Sequence, residues 1–212
     1  MQPYLKSPYK SLLKLAGIFL CLLLALPAHA LTASEILQKG KDKLSSAKTV
    51  TAGFSMKTGG ATVSGQLICK GNKFAITSNA SSSWYNGVDL YTYLPSKSET
   101  TVFKPTASEL SDVNPLLYLN TSGNYNVTAT KTKKAGMETV VLLPKKSGGS
   151  VKSVTIDLDS KTFLPKQIKI LPSSGGSIEV TIRDIKLNSN ISDSSFSYPK
   201  SKYPKARIID MR

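Results

Sequence analysis

The chain has 212 residues and a formal net charge of +15, from 28 Lys+Arg against 13 Asp+Glu, with one histidine and two cysteines. Only Arg183, Arg207 and Arg212 are arginines; the other basic residues are lysines scattered along the chain, without the arginine forks that read nucleic-acid bases. So little histidine and cysteine leaves no multi-cysteine metal site and no disulfide framework.

The first thirty residues read as an export signal. Lys6, Lys10 and Lys14 precede the apolar run Leu15–Leu26, and Pro27 introduces the small-x-small site Ala28-His29-Ala30. The run is too short to span a bilayer comfortably. Cys21 follows Leu20, where a lipidation site wants a small residue. Cleavage near Ala30 removes three lysines and no acid, so residues 31–212 carry +12 and lose His29 and Cys21. The expected organisation is a signal peptide over 1–30 and one domain over 31–212, long enough to bury a sizeable core.

After the signal, "LTASEILQKGKDKLSSAKT" predicts a helix. Thr32 and Glu35 form a capping box, and Ile36, Leu37, Leu44 and Ala47 recur at helical spacing. From Val50 the period becomes two. Val50, Ala52, Phe54 and Met56 share one face of a first strand, and Val63, Gly65, Leu67 and Cys69 one face of a second. Phe74 and Ile76 mark a third. "YNGV" at Tyr85–Val88 predicts a two-residue hairpin turn. Thr106–Asn120 breaks the rhythm and reads as one or two short helices. Strands resume at Tyr125–Thr130, Met137–Leu143, Ser153–Leu158, Gln167–Leu171 and Ser177–Ile185. The expected fold is mainly β: an antiparallel meander of roughly ten to eleven strands, forming an unclosed barrel lidded by an N-terminal helix and a short helical insert.

Nothing in this pattern points to catalysis. General acid–base chemistry near neutral pH usually recruits histidine, and residues 31–212 have none. Asp157 and Asp159 share a strand face opposite Ile156 and Leu158, which predicts that both point to water. Cys69 shares parity with Val63 and Leu67 and reads as a buried, inert thiol. "SSAK" at Ser45–Lys48 and "KTG" at Lys57–Gly59 occur in penicillin-binding sites, but there with far more chain between them. No cofactor is expected.

Five strings carry a resemblance: "GQLICKGNKFAI", "WYNGVDLYTYLPSKSETTVF", "NPLLYL", "VKSVTIDLDSKTFLPKQIKI" and "IEVTIRDIKLNSNISDSSFSYPK". Their order and spacing resemble the periplasmic outer-membrane lipoprotein carrier family, LolA-like, and Asp184–Lys200 matches its last element with few departures. The resemblance implies a helix-lidded half-barrel that takes acylated lipoproteins from an inner-membrane ABC transporter to an outer-membrane acceptor, as a periplasmic monomer. Its alternatives are a carrier of another lipid and a lipid- or lipoprotein-sensing module. Known versions of the sensing module append a C-terminal domain, so the stop at Arg212 argues against that alternative. The family commonly has Arg-Pro where this chain has Lys70-Gly71, so Lys70 is the expected rim charge. The expected acyl-binding wall is Phe54, Met56, Val63, Leu67, Phe74, Ile76, Trp84, Leu90 and Val102, with Leu110, Leu116, Leu117 and Leu119 as lid.

Overall fold

The protein is described by a computed structural model covering residues 30–120, 123–130 and 134–212; the expected signal peptide lies outside the described residues. One helix, α1 (Ala33–Ser45), precedes six strands: β1 (Val50–Thr58), β2 (Ala61–Lys70), β3 (Lys73–Ser78), β4 (Ser82–Tyr85), β5 (Leu90–Leu94) and β6 (Glu99–Phe103). Helix α2 (Ala107–Val113) and a 3-10 segment (Pro115–Asn120) follow. The chain continues through β7 (Tyr125–Ala129), β8 (Met137–Pro144), β9 (Val151–Asp159), β10 (Pro165–Pro172) and β11 (Ile178–Leu187), and ends on β12 (Arg207–Asp210).

All twelve strands join one sheet, in the order β12-β6-β5-β4-β3-β2-β1-β11-β10-β9-β8-β7. Two meanders therefore meet where β1 pairs with β11, and α2 with its 3-10 segment carries the chain from one outer region of the sheet to the other. β12 and β7 are edges, so the sheet is unclosed. At the meeting of the meanders the β1–β11 register shifts between Thr51 and Gly53, and Asp184 takes a φ of 51°. Such a bulge bends and twists its strand, and a sheet this wide curls in any case.

Two features differ from the sequence expectation. The sheet has twelve strands, not ten to eleven, and it is not wholly antiparallel: β12 runs parallel to β6, pairing Arg207 with Glu99 through to Asp210 with Val102. The hairpin turn is also displaced by one residue. Asn86 N–H donates to the Asp89 carbonyl, while the Asn86 side-chain oxygen accepts from the N–H groups of Val88 and Asp89. The central pair is thus Gly87-Val88, and Gly87 supplies the positive φ of 102°.

Both helices start on the same device. Thr32 caps α1 and Thr106 caps α2, each reciprocated by a glutamate three residues on, Glu35 and Glu109. Helix α1 buries Ile36, Leu37 and Gly40. A Cβ on Gly40 would stand 2.9 Å from Leu119 Cδ2 and 3.0 Å from Leu158 Cδ2, so the glycine sets how closely α1 lies on the 3-10 segment and the sheet. The main core includes Val140, Leu142, Val154, Ile156, Leu158 and Ile168, all 0% exposed.

A second, smaller core lies on the opposite face of the sheet. Ala75, Trp84 and Phe196 are its buried members, with Tyr91, Tyr93, Tyr198 and Tyr203 packed around them. The tail between β11 and β12 supplies Ile191, Phe196, Tyr198 and Tyr203. Tyr198 stacks on Tyr91 at 5.6 Å, Tyr203 lies 4.1 Å from Tyr93, and the Thr100 hydroxyl donates to Tyr198 Oη at 2.9 Å.

Candidate functional site: two cavities under the lid

The face of the sheet beneath α2 is apolar by register. Cross-strand rows Ala52–Leu67–Ile76, Phe54–Gly65 and Met56–Val63 continue across the sheet into Ile182 and Val180 on β11. Phe54 lies directly across from Gly65, and its ring fills the space a side chain there would need: a Cβ on Gly65 would come 2.9 Å from the ring.

Between this face and the lid is an apolar cavity of about 300 Å³. Its floor is Ala52, Phe54, Met56, Val63, Leu67, Ile76, Ile170, Ile178, Val180 and Ile182; its roof is Asp112, Val113, Pro115 and Leu116. Ser78, Ala80, Ser81, Ser83 and Thr92 complete the lining. Burial raises the Asp112 carboxyl above the ordinary aspartate range, opposed by the hydrogen bond it accepts from Tyr118. The same surroundings push the Tyr118 and Tyr125 hydroxyls up.

Leu116 also walls a second cavity, of about 290 Å³. It is closed by α1 through Lys41, Leu44 and Ser45, by Val50, Cys69 and Phe74 on the sheet, and by Asn114, Leu117, Leu119 and Asn120 on the lid side. Asn114 is 1% exposed; its amide nitrogen lies 3.7 Å from Cys69 Sγ and its oxygen accepts from Leu116 N–H. Burial pushes the Cys69 thiol up to about 12, so it is protonated at neutral pH.

The structure sorts the residues singled out from sequence. Phe54, Met56, Val63, Leu67, Ile76 and Leu116 line the apolar cavity; Phe74, Leu117 and Leu119 line the second, which Leu116 also walls. Leu90, 0% exposed, and the half-buried Leu110 pack into the main core and line neither.

Three residues need correction. Trp84 pairs with Ala75 and Tyr91 and lies on the outer face, in the smaller core. Val102 pairs with Tyr91 in the same row, so its 1% exposure is burial on that outer side. Lys70 shares parity with Ile68, not Cys69: its ammonium reaches Asp193 at 3.3 Å and the Ile191 carbonyl at 3.4 Å, holding the tail instead of rimming a cavity. That pair, with Lys73, holds the Asp193 carboxyl below its usual range. Asp157 does not face water either. It is 4% exposed, accepting from the Thr139 hydroxyl at 2.6 Å and from the Lys134 ammonium.

The wall residues missed in sequence are Ile170, Ile178, Val180 and Ile182. Their alternation with charged neighbours was visible; that β11 would return to lie beside β1 was not. Among the described residues no three His, Cys, Asp or Glu gather to hold a metal, and no helix is long and apolar enough to cross a membrane.

Several solved structures align with most of this chain. An uncharacterized conserved protein from Thermus thermophilus aligns over 84% of this chain and 98% of its own, at 11% identity and a TM-score of 0.57. A putative outer membrane lipoprotein-sorting protein domain from Vibrio parahaemolyticus aligns over 81% and 98%, at 14% identity and a TM-score of 0.48. A LolA superfamily protein from Nitrosomonas europaea aligns over 80% and 99%, at 14% identity and a TM-score of 0.45. No curated protein matches the chain. Residues 24–174 match the family described as outer membrane lipoprotein carrier protein LolA. A half-barrel with a lidded apolar cavity, matched over most of its length, is a carrier fold, and the chain belongs to the LolA outer membrane lipoprotein carrier family.

Proposed function

We propose that this protein is a periplasmic carrier that shields the acyl chains of lipoproteins between the inner and outer membranes. The observation that carries the reading is the apolar cavity of about 300 Å³ between α2 and the sheet. Phe54, Met56, Val63, Leu67 and Ile76 form its acyl-binding wall, and Leu116, Leu117 and Leu119 belong to the lid. The export signal is cleaved near Ala30, and the domain works as a monomer without catalysis. Cargo comes from an inner-membrane ABC transporter and goes to an outer-membrane acceptor.

The physics of the cavity favours transfer over storage. Each methylene moved from water to an apolar site is worth about 0.8 kcal/mol, so ten of them gain ~8 kcal/mol. The cavity lies at the small end of the range for small-molecule sites, roughly 300–1,000 Å³. A multi-acylated cargo therefore requires the lid to move, and opening costs part of the binding energy. This keeps a carrier from becoming a trap.

The test is native mass spectrometry of the protein recovered from the periplasm after export of the full chain, without strong detergent. A co-purifying acylated lipoprotein, lost in a Met56→Gln variant of unchanged stability, is the expected result. Phospholipid or another lipid in place of lipoprotein would move the function to lipid transport or sensing. Persistent absence of any lipid, with added acylated lipoprotein also failing to bind, would overturn the carrier role.

A further inference from the structure

The second cavity differs from the first in the chemistry of its mouth. Its interior is apolar, through Leu44, Val50, Phe74, Leu117 and Leu119, but its edge carries Lys41, Ser45, Asn72 and Asn120, and no carboxylate lines it. The apolar cavity, by contrast, has Asp112 in its roof. Lys41 sits on the half-buried part of α1 and, among the described residues, forms no ion pair. The neighbouring acid, Asp42, is engaged by the Gln38 amide at 2.7 Å. Lys73 also borders the cavity, but its ammonium is 3.4 Å from Asp193, whose side chain is 65% exposed. One cation, Lys41, is thus uncommitted at the mouth; Lys73, paired across the strands with Lys70, turns its ammonium to Asp193 and the tail.

We propose that the second cavity binds an acyl amphiphile with an anionic head group, the chain entering between α1 and Leu116 and the head group held at Lys41. The inference rests on the carrier reading and narrows it: charge on the cargo's head group, and not chain burial alone, sets preference. A charged head offers Lys41 a charge-assisted hydrogen bond, and the amide and hydroxyl donors of Asn72, Asn120 and Ser45 suit the same oxygens. Nothing in the lining repels it. A neutral head group loses this contribution but keeps the chain burial.

The experiment uses the delipidated protein recovered from the periplasm and probes sharing one palmitoyl chain: lysophosphatidylglycerol, lysophosphatidylcholine and monopalmitoylglycerol, with inorganic phosphate as the chain-free control. Affinity is measured by titration below the micelle concentration. Occupancy of this particular cavity is read from the NMR signal of isotope-labelled Cys69, the only cysteine of residues 31–212, because Cys69 lines this cavity and not the other. The expected result is lysophosphatidylglycerol bound about fivefold more tightly than lysophosphatidylcholine at low salt, with the difference shrinking as salt rises. Lys41→Gln removes the preference and leaves monopalmitoylglycerol affinity unchanged, and the anionic probe shifts the Cys69 signal in the parent.

Four results would overturn the proposal. Equal affinities for all head groups, with the chain still bound, would sink it while sparing the carrier reading. Tight anionic binding that leaves the Cys69 signal unmoved would place the ligand elsewhere. A shift of the Cys69 signal by inorganic phosphate alone would mean a free-anion site with no role for the chain. Failure of every probe, the neutral one included, would count against the carrier reading and this inference together.

Discussion

Replacing Leu116 with alanine tests whether this side chain is a partition or an ordinary core residue. Leu116 is 7% exposed, yet it walls both cavities, so much of its neighbourhood is space instead of packed atoms. Leu→Ala substitutions in tight cores cost roughly 2–5 kcal/mol, the upper values arising where a new void is left behind. Here the transfer contribution of three carbons, at about 0.8 kcal/mol each, is lost in full. The void contribution is small, because few partner atoms lose contact. The expected destabilisation is about 2 kcal/mol. Urea unfolding followed by Trp84 fluorescence measures it: Trp84 is the only tryptophan and lies on the outer face, so its signal reports the fold and not cavity occupancy. The variant should also favour longer chains, since merging the cavities admits about three more methylenes, worth up to ~2 kcal/mol or more than tenfold in affinity for an octadecyl over a dodecyl ligand. A loss above about 4 kcal/mol with no change in chain-length preference would refute the partition.

The remaining predictions probe the faces and the lid. Trp84→Ala should cost about 3–5 kcal/mol, yet leave uptake of a fluorescent fatty acid by the folded protein unchanged; reduced uptake at full folding would return Trp84 to the cavity wall. Gly65→Ala should destabilise by about 1–3 kcal/mol or more in thermal melts, because its Cβ would stand 2.1 Å from the Thr77 carbonyl oxygen; a neutral melt would show that β2 and β3 are less closely placed. The Glu109 carboxyl, bonded by Thr106, is held below the ordinary glutamate range. A depressed folded-state value means its contribution is present above the unfolded value, about 4.3, and is lost as pH falls below that through the folded one. Amide hydrogen exchange over residues 107–113, corrected for intrinsic rates, should show α2 loosening in that window, partly offset because Asp112 is raised by burial and its protonation is favourable. Equal protection at pH 6 and pH 3.5 would contradict the capping argument.

What the sequence made legible was periodicity within each strand. The inward faces of β1, β2 and β3 were all readable from alternation, and both helices were visible as breaks in it. A further sign went unused: "TASE" occurs twice, at Thr32–Glu35 and Thr106–Glu109, and marks the start of each helix by the same capping box. What periodicity does not give is parity across a turn. Trp84 and Tyr85 are adjacent and so face opposite ways; which one faces inward depends on the β3–β4 turn, which is why Trp84 reads as wall from sequence. Lys70 was readable, since Cys69 inward forces Lys70 outward. β12 was not, because its partner β6 lies about a hundred residues earlier and the pairing is parallel. Asp157 was misjudged because strand alternation says which face a residue takes, but not that Thr139 and Lys134 cover it there.

The distribution of burial explains how a sheet can stay folded around space it does not fill. The cavity wall on β1–β3 is only half-buried at Phe54, Met56, Val63 and Ile76, so these side chains give up part of the 1.5–3 kcal/mol that roughly attends full burial. Most of the apolar residues that are 0% exposed lie instead on β8–β10: Val140, Leu142, Val154, Ile156, Leu158 and Ile168. At the other end of the sheet the tail closes the outer face through Phe196, Tyr198 and Tyr203, and β12 is tied by Arg207 to Glu99 and by Arg212 to Asp89 at 3.0 Å. Stability is therefore concentrated on either side of the wall and in the 3-10 segment, where Leu116, Tyr118 and Leu119 are buried in the main core; helix α2 itself contributes little. Helix α2 has seven residues and a single buried one, Ser111. Such an element can leave the sheet while both flanking cores persist, which is what loading and unloading an apolar ligand requires.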